Sequence, residues 1–293
     1  FCIMGKGTHV GHERVEVGEV EKFGPRWDFD FAHMKKSGEY FEDGEAYDYS
    51  DIYSTHLIGV DRGNGWMISL PVDLSQGPES SQHRFVRSFI NMTMKRLFYR
   101  RMNWRRDNEA ALILLLDKAA DERGEPTKID EAPTRSPQSV GAAERTVRSM
   151  KEAFKTTRYE VEAKHGIEIN PNMPIWAHIG RYNALMRNYY RIRPSGKTAY
   201  EEAFDSSYNS EMVKFSEIVY AKEPLSKTGD GRGGKKVKSA DTDWIKGVCT
   251  GRTETSNENI VMTPEGTLRF RTIRRLPESK RYDGEFLKKC KGV

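Results

Sequence analysis

Residues 136–151 read Ser-Pro-Gln-Ser-Val-Gly-Ala-Ala-Glu-Arg-Thr-Val-Arg-Ser-Met-Lys, and within them the composition changes from a Pro/Ser/Gly loop to a helix. Apolar side chains recur at helical spacing, at Ala143, Val147, Met150 and Phe154. One position further round lies a polar row, formed by Glu144, Arg148, Lys151 and Lys155. The stretch therefore predicts a long amphipathic helix whose first turn carries one carboxylate on an otherwise basic face.

That face has two interpretations. An acid among bases is typical of the solvated side of a surface helix, where i,i+4 ion pairs form. The residues before the helix favour a second interpretation, because Pro137-Gln138-Ser139-x-Gly141-x-x-Glu144-Arg145 resembles a motif of retroviral and retrotransposon integrases, Pro-Gln-Ser-Asn-Gly-x-x-Glu-Arg. In that family the Glu is the third catalytic carboxylate. The resemblance thus implies a catalytic role for Glu144 and two aspartates upstream.

The first of these aspartates is sought in the segment from Trp27 to His33, which alternates polar and aromatic residues as a half-buried strand does. The alternation places Asp28 and Asp30 together on the face opposite the aromatic residues. An acid on a strand is by itself most often structural. Retroviral integrases, however, have Trp three residues before the first catalytic Asp and His three residues after it. By that resemblance Trp27 and His33 select Asp30.

The second aspartate is Asp107, at the carboxyl end of a predicted strand, where α/β proteins place their sites. Between Asp107 and Glu144 lie 36 residues, close to the interval in integrases, and 76 residues separate Asp30 from Asp107. An acidic insertion at 35–54 accounts for the long first interval. The other elements predicted along this part are strands at 55–60, 66–70 and 102–106, a turn at 61–65 capped by Asp61, and helices at 83–97, 110–120, 141–164 and 175–191.

Taken together, these motifs resemble the integrase of a copia-type long-terminal-repeat retrotransposon. The fold class implied is α/β, an RNase H-like core with a mixed five-stranded sheet flanked by helices, followed by a small β-rich domain. Asp30, Asp107 and Glu144 would be catalytic and would hold two Mg²⁺ or Mn²⁺ ions, since oxygen ligands without His or Cys favour these metals over Zn²⁺. Two residues depart from the family pattern: Glu109 replaces a Gly, and Val140 replaces an Asn.

Four domains are predicted. Residues 1–20 would be the remnant of a zinc-binding module, because Phe1-Cys2-Ile3-Met4-Gly5-Lys6-Gly7 resembles the end of the module that precedes integrase cores. His9 and His12 could join Cys2, but a fourth ligand is absent, so zinc is not expected. Residues 21–193 would be the core. Residues 194–280 would be the β-rich domain, because Pro194-x-x-x-Thr198-x-Tyr200-Glu201 resembles the copia-type segment after the core. Residues 281–293 would be a basic tail.

The charge distribution bears on partners. The net charge is +5, and residues 234–293 hold 14 Lys and Arg against 8 Asp and Glu. Such an excess favours binding to a polyanion, and DNA is the first candidate. It is also typical of ordinary solubilising charge. The predicted DNA-binding residues are Arg145, Arg148, Lys151, Lys155, Lys235, Lys236, Arg269 and Arg271. A hairpin is predicted at 260–270. In it Phe270 should point into the domain, leaving Arg269 and Arg271 on the outer face.

Further expectations concern setting and assembly. The three cysteines are too few and too scattered for a disulfide framework, which indicates a reducing, intracellular compartment. The first residue is Phe, so a longer chain is expected, and no apolar run predicts a membrane partner. The resemblance implies joining of element cDNA 3′ ends to target DNA by a homo-multimer. It also implies a polyprotein shared with reverse transcriptase, located in a cytoplasmic virus-like particle and then in the nucleus.

Two other functions remain open. One is a catalytically decayed, integrase-like DNA-binding protein, consistent with the replacements at Glu109 and Val140. The other is a cut-and-paste transposase of the same fold with the same three acids. Metal-dependent turnover would exclude the first, and a preference for preformed linear ends would exclude the second.

Overall fold

The computed structural model describes residues 24–42, 45, 48–131, 141–222 and 244–292; for Tyr49, Glu131 and residues 141–144 it describes the backbone alone. Several predictions fall outside this part of the chain. They are the zinc-module remnant with Cys2, His9 and His12, the loop at 133–140, and the DNA-binding residues Lys235 and Lys236.

The first sheet has five strands, β1 (Arg26–Met34), β2 (Ser54–Asp61), β3 (Met67–Val72), β4 (Met102–Arg106) and β5 (Thr127–Glu131). Their order is β3-β2-β1-β4-β5. The first three strands pair antiparallel, whereas β4 runs parallel to β1 and β5 parallel to β4. This antiparallel meander extended by two parallel strands is the RNase H-like sheet, and the predicted fold class is confirmed.

The turn between β2 and β3 keeps the predicted position. The backbone N–H of Gly63 donates to Asp61 Oδ1 at 2.7 Å, and the N–H of Trp66 donates to Asn64 Oδ1 at 2.8 Å. Gly65 has φ of +71°, a conformation that favours glycine. Asp61 therefore caps the turn, as the sequence predicts.

The helices are α1 (Ser81–Arg96), α2 (Ala110–Arg123), α3 (Gly141–His165), α4 (Trp176–Tyr190), α5 (Ala199–Phe204) and α6 (Gly284–Lys289). Helices α1 and α2 cover the sheet face that carries Trp27, Phe29 and Trp104. Helices α3 and α4 cover the opposite face, where Ala32 and Ile58 pack against Val147, Met150 and Ala184. The described part of the predicted apolar stripe of α3 is thus buried, and Arg148 and Lys155 of its polar row are exposed.

The sequence pattern does not predict β5. Its residues, Thr-Lys-Ile-Asp-Glu, contain a single apolar side chain, so neither period of secondary structure is visible. The strand lies at the edge of the sheet and pairs only with β4 within the described chain. Edge strands with charged side chains carry little hydrophobic signal, because burial does not select their residues.

The second sheet contains β6 (Ile218–Lys222), β7 (Trp244–Arg252), β8 (Asn259–Thr263), β9 (Gly266–Phe270) and β10 (Ile273–Arg275). Its order is β10-β6-β7-β8-β9, with antiparallel pairing throughout. The predicted C-terminal β-rich domain is present. Phe270 is buried with Val219, Cys249 and Val261, as predicted for the hairpin.

The two sheets share a hydrophobic core. Phe154 of α3 and Trp176 and Ile179 of α4 pack with Ile218, Val248 and Met262 of the second sheet. The segment predicted as a basic tail contributes Leu287 and Cys290, at and just after α6, to the same core. Removal of these C-terminal residues would therefore expose apolar side chains of α3 and α4. Within the described residues no helix is long and apolar enough to cross a lipid bilayer.

Candidate active site

Two of the three predicted catalytic acids lie side by side. Asp30 is in the middle of β1, on the face opposite Phe29 and Phe31. In the parallel pairing Phe29 is level with Arg106, so Asp107, the next residue after β4, follows beside Asp30. Backbone N–H groups orient both carboxylates: that of Phe31 donates to Asp30 Oδ1 and that of Asn108 to Asp107 Oδ1, each at 2.8 Å.

The charge of Asp30 is disfavoured in this position. Burial raises the pKa of the Asp30 carboxyl to about 7, and the negative charges of Asp107 and, more weakly, Glu109 add to the effect. The N–H of Phe31 and the ammonium of Lys151 oppose the shift. Burial, more than the neighbouring charges, thus makes the charged form of Asp30 costly.

Asp28, the other acid on this strand, has a structural role. It is buried, and its Oδ1 accepts from Arg26 Nε at 2.8 Å while its Oδ2 lies 3.5 Å from Arg62 Nη1. The carboxylate is therefore paired with two cations at the start of β1. The choice of Asp30 as the functional acid stays a prediction.

Glu109 is an acid that the sequence reasoning left out of the site. Its Oε2 lies 3.2 Å from Nε2 of His33, and Nδ1 of His33 lies 2.9 Å from the hydroxyl of Thr55. Glu109 is thereby held over β1 close enough to Asp30 to act on its charge. The signal in the sequence was Glu109 itself, an acid where the integrase pattern that the chain resembles has Gly, two residues after Asp107.

The third predicted acid, Glu144, belongs to the first turn of α3, and its side chain is outside the described part of the structure. Among the described residues, no three or more His, Cys, Asp or Glu side chains are grouped so as to hold a metal ion. Asp30 and Asp107 supply two neighbouring carboxylates, of which that of Asp30 is desolvated by burial. This donor set fits a hard divalent cation such as Mg²⁺ or Mn²⁺.

The predicted DNA-binding residues occupy two regions. On α3, Arg145, Arg148 and Lys155 are exposed. Lys151 is partly buried, and its Nζ donates to the carbonyl of Phe41 at 2.9 Å. The ammonium of Lys151 therefore points toward the chain between β1 and β2, near Asp30, and not only into solvent.

The other region is the second sheet, where Arg269 is exposed on β9 and Arg271 follows the end of that strand. The guanidinium of Arg271 lies 3.3 Å from Glu258 and is 89% exposed. Both arginines are on the outside, as predicted. The functional assignments of all these residues stay predictions.

The raised pKa of Asp30 predicts a pH-dependent stability. Between its unfolded pKa near 3.8 and its folded pKa near 7, the folded chain binds the proton and the unfolded chain does not. In a metal-free buffer, Asp30 should therefore reduce the free energy of unfolding as pH rises from about 4 to about 7, by up to about 1.4 kcal/mol per pH unit. Urea unfolding in EDTA across this range, compared with Asp30→Asn, measures the contribution. Parallel curves for the two proteins would contradict it.

In comparisons with known proteins, no family model and no curated protein matches the chain. Solved structures with a similar fold include the catalytic core domain of BIV integrase, at 15% identity and a TM-score of 0.40, covering 61% of this chain and 93% of that one. A simian T-cell lymphotropic virus intasome in complex with PP2A regulatory subunit B56 gamma has 14% identity, a TM-score of 0.41 and coverage of 86% and 78%. The HTLV-2 integrase catalytic core domain in complex with magnesium has 13% identity, a TM-score of 0.38 and coverage of 62% and 95%. The fold assignment of this chain rests on its own strand order.

Proposed function

We propose that the chain is the integrase of a copia-type retrotransposon and joins the 3′ ends of element cDNA to target DNA. The observation that carries the proposal is the position of Asp30 and Asp107, side by side at the junction of the antiparallel and parallel parts of an RNase H-like sheet. The motif Pro137-Gln138-Ser139 precedes Glu144 at the start of α3, the helix that crosses β1 and β2. These features together match the three-carboxylate pattern of the family.

In this proposal Asp30, Asp107 and Glu144 would hold the divalent ions. When bound, two such ions activate an attacking hydroxyl and stabilise the leaving oxygen of a phosphodiester. The chain prepares the site by orienting Asp30 and Asp107 through the N–H groups of Phe31 and Asn108. Lys151, next to Asp30, adds a positive charge that favours the carboxylate form and attracts a phosphate.

A second function is favoured by one observation, the negative charge of Glu109 beside the two aspartates. If this charge disturbs cation binding, the chain is a DNA-binding protein that keeps the fold without turnover. Under either proposal DNA is the partner. The integrase proposal further includes a homo-multimer, a polyprotein with reverse transcriptase, and a route from a cytoplasmic particle to the nucleus.

The test is incubation of the purified chain with a labelled linear duplex and unlabelled target DNA. With Mg²⁺ or Mn²⁺ we expect labelled strands longer than the substrate, and with EDTA none. Binding without any joining in either metal would favour the decayed protein. Excision from a duplex with flanking DNA, at a higher rate than joining of preformed ends, would favour the cut-and-paste transposase.

The basic face of α3 predicts a salt effect on DNA binding. Arg148→Gln and Lys155→Gln should each weaken binding to any duplex and lower the slope of log affinity against log salt by about one, because each cation neutralises one phosphate. Fluorescence anisotropy with a labelled duplex in EDTA measures both quantities. Unchanged slopes in both variants would support the interpretation of this row as a solvated helix face.

A further inference from the structure

A cleft of about 430 Å³ lies between the turn joining β2 to β3, the start of α3 and the end of α4. Five arginines line it, and the acidic lining residue is Asp61. We call it the arginine cleft; its arginines are Arg62, Arg145, Arg187, Arg191 and Arg193. Four of these five were not among the DNA-binding residues predicted from the sequence.

Two of the arginines, and the acid, are already engaged. Asp61 accepts hydrogen bonds from the N–H of Gly63 and the hydroxyl of Tyr99, so its oxygens are used by the turn. Arg193 forms an ion pair with Glu202 and donates to the carbonyl of Gly63 at 3.0 Å. Arg62, also at the cleft wall, lies 3.5 Å from Asp28 Oδ2. The cleft thus has one carboxylate, that of Asp61, against five guanidinium groups.

Among the described residues, Arg145, Arg187 and Arg191 form no ion pair with a carboxylate, although the charge of Glu152 acts on Arg187. Arg187 donates through Nη2 to the carbonyl of Ser149 at 2.8 Å and to its hydroxyl, while its buried Nη1 has no hydrogen-bond partner among the described residues. Within the same part of the chain, the exposed side chains of Arg145 and Arg191 form no hydrogen bond or ion pair. Burial and then the charge of Arg191 lower the pKa of Arg187, with Glu152 opposing. Like charges held this close are stabilised by an anion.

We propose that the arginine cleft binds a phosphate of the DNA backbone and so positions the strand that reaches Asp30 and Asp107. Guanidinium groups suit this role because their planar array of donors matches phosphate oxygens. The identity of the strand rests on the proposed function, whereas the binding of a phosphodiester rests on the cleft itself. The ligand class is therefore a polyanionic backbone, read through charge and without base recognition.

The distance along α3 between the arginine cleft and Asp30 favours a DNA strand as the ligand over a separate small anion. Arg145 in the cleft and Lys151 beside Asp30 are six residues apart on one helix, which corresponds to about 9 Å. Successive phosphates of one strand advance about 3.4 Å along a duplex axis. A phosphate in the arginine cleft would thus be about two to three nucleotides from the phosphodiester at the carboxylates.

The experiment measures binding of a labelled 20-base-pair duplex of arbitrary sequence by fluorescence anisotropy, in EDTA and over a range of salt concentrations. Arg191→Gln should weaken binding about three- to tenfold and lower the salt slope by about one, and Arg145→Gln/Arg191→Gln should lower it by about two. Both side chains are exposed and form no hydrogen bond or ion pair with other described residues, so thermal unfolding should be unchanged. Arg84→Gln, an exposed arginine of α1 on the other face of the sheet, is the matched control and should leave the slope unchanged.

Two results would overturn the proposal. One is wild-type affinity and slope in both cleft variants. The other is an equal loss in Arg84→Gln, which would mark general surface charge. Displacement of the duplex by inorganic phosphate at constant ionic strength would overturn the strand assignment and indicate a small-anion site. Because the binding assay contains no metal, its outcome is independent of the joining assay. If the chain joins ends but Arg191→Gln binds DNA like wild type, only the cleft proposal fails. If the cleft variants lose DNA binding but the chain joins no ends, only the integrase proposal fails.

Discussion

Replacement of Asp107 by asparagine should lower the rate of strand joining by at least about a thousandfold in Mg²⁺. Loss of the carboxylate charge removes a cation ligand, and a bound metal supplies several kcal/mol of transition-state stabilisation, of which about 1.4 kcal/mol corresponds to each tenfold in rate. The fold should be retained, because Asp107 is exposed and its Oδ1 accepts from the N–H of Asn108, a contact that asparagine can also make. Gel analysis of labelled ends gives the rate.

The matched control for this change is Asp121→Asn, an exposed carboxylate on α2 away from the site. It should join ends at the wild-type rate. Mn²⁺ binding, measured directly by titration calorimetry, should be weakened in Asp107→Asn and unchanged in the control. Joining by Asp107→Asn at a rate close to wild type would remove Asp107 from the metal site and with it the three-carboxylate mechanism.

Replacement of Glu217 by alanine should have the largest effect on stability, a loss of about 3 kcal/mol in the free energy of unfolding. Glu217 is fully buried, and its two oxygens accept from Nε and Nη2 of Arg275 at 2.7 and 2.8 Å, with Nε of Arg281 at 3.3 Å. This carboxylate joins β10 to the start of β6. Its removal leaves two guanidinium groups without their central anion, and the cost is at the low end for buried pairs because Arg275 is 33% exposed.

Glu211→Ala provides the control, since Glu211 also pairs with Arg275, at 3.3 Å, but is 83% exposed. Its loss should change stability far less, because exposed pairs are screened by water. Urea unfolding followed by circular dichroism compares the two variants. If both lost the same stability, the burial of Glu217 would not be the cause, and the second sheet would be held by its apolar contacts alone.

Much of the first sheet could be predicted because the alternation of apolar and polar residues shows which side chains are buried. The alternation of Trp27, Phe29 and Phe31 predicts β1 and its buried face, and the Asn64-Gly65 pair predicts the turn after β2. In contrast, β5 and β10 are short edge strands with charged residues, and α6 lies in a stretch whose lysines suggest a tail. Their apolar contacts are few, so the conformation of these segments depends on the elements that they contact and not on their own hydrophobic periodicity.

The candidate site divides in the same way. The resemblance to integrases implied that Asp30 and Asp107 meet, because the strand order of that fold brings these two positions together. The approach of Glu109 to His33 depends instead on the path of the chain after β4. The arginine cleft also depends on tertiary contacts, since its residues come from a turn, the start of one helix and the end of another, and no local pattern links them.

By itself, the sequence determined the alternation of β1 and the amphipathic α3, because hydrophobic periodicity acts over a few residues. The RNase H-like core and the choice of Asp30 were implied by motifs that resemble those of integrases. Only the tertiary structure decided which charges are compensated. It paired Asp28 with Arg26 and Arg62, buried Glu217 between Arg275 and Arg281, and placed Arg145, Arg187 and Arg191 around one cleft. The physical reason is that the effect of a charge depends on burial and on neighbours distant in the chain, neither of which a local pattern records.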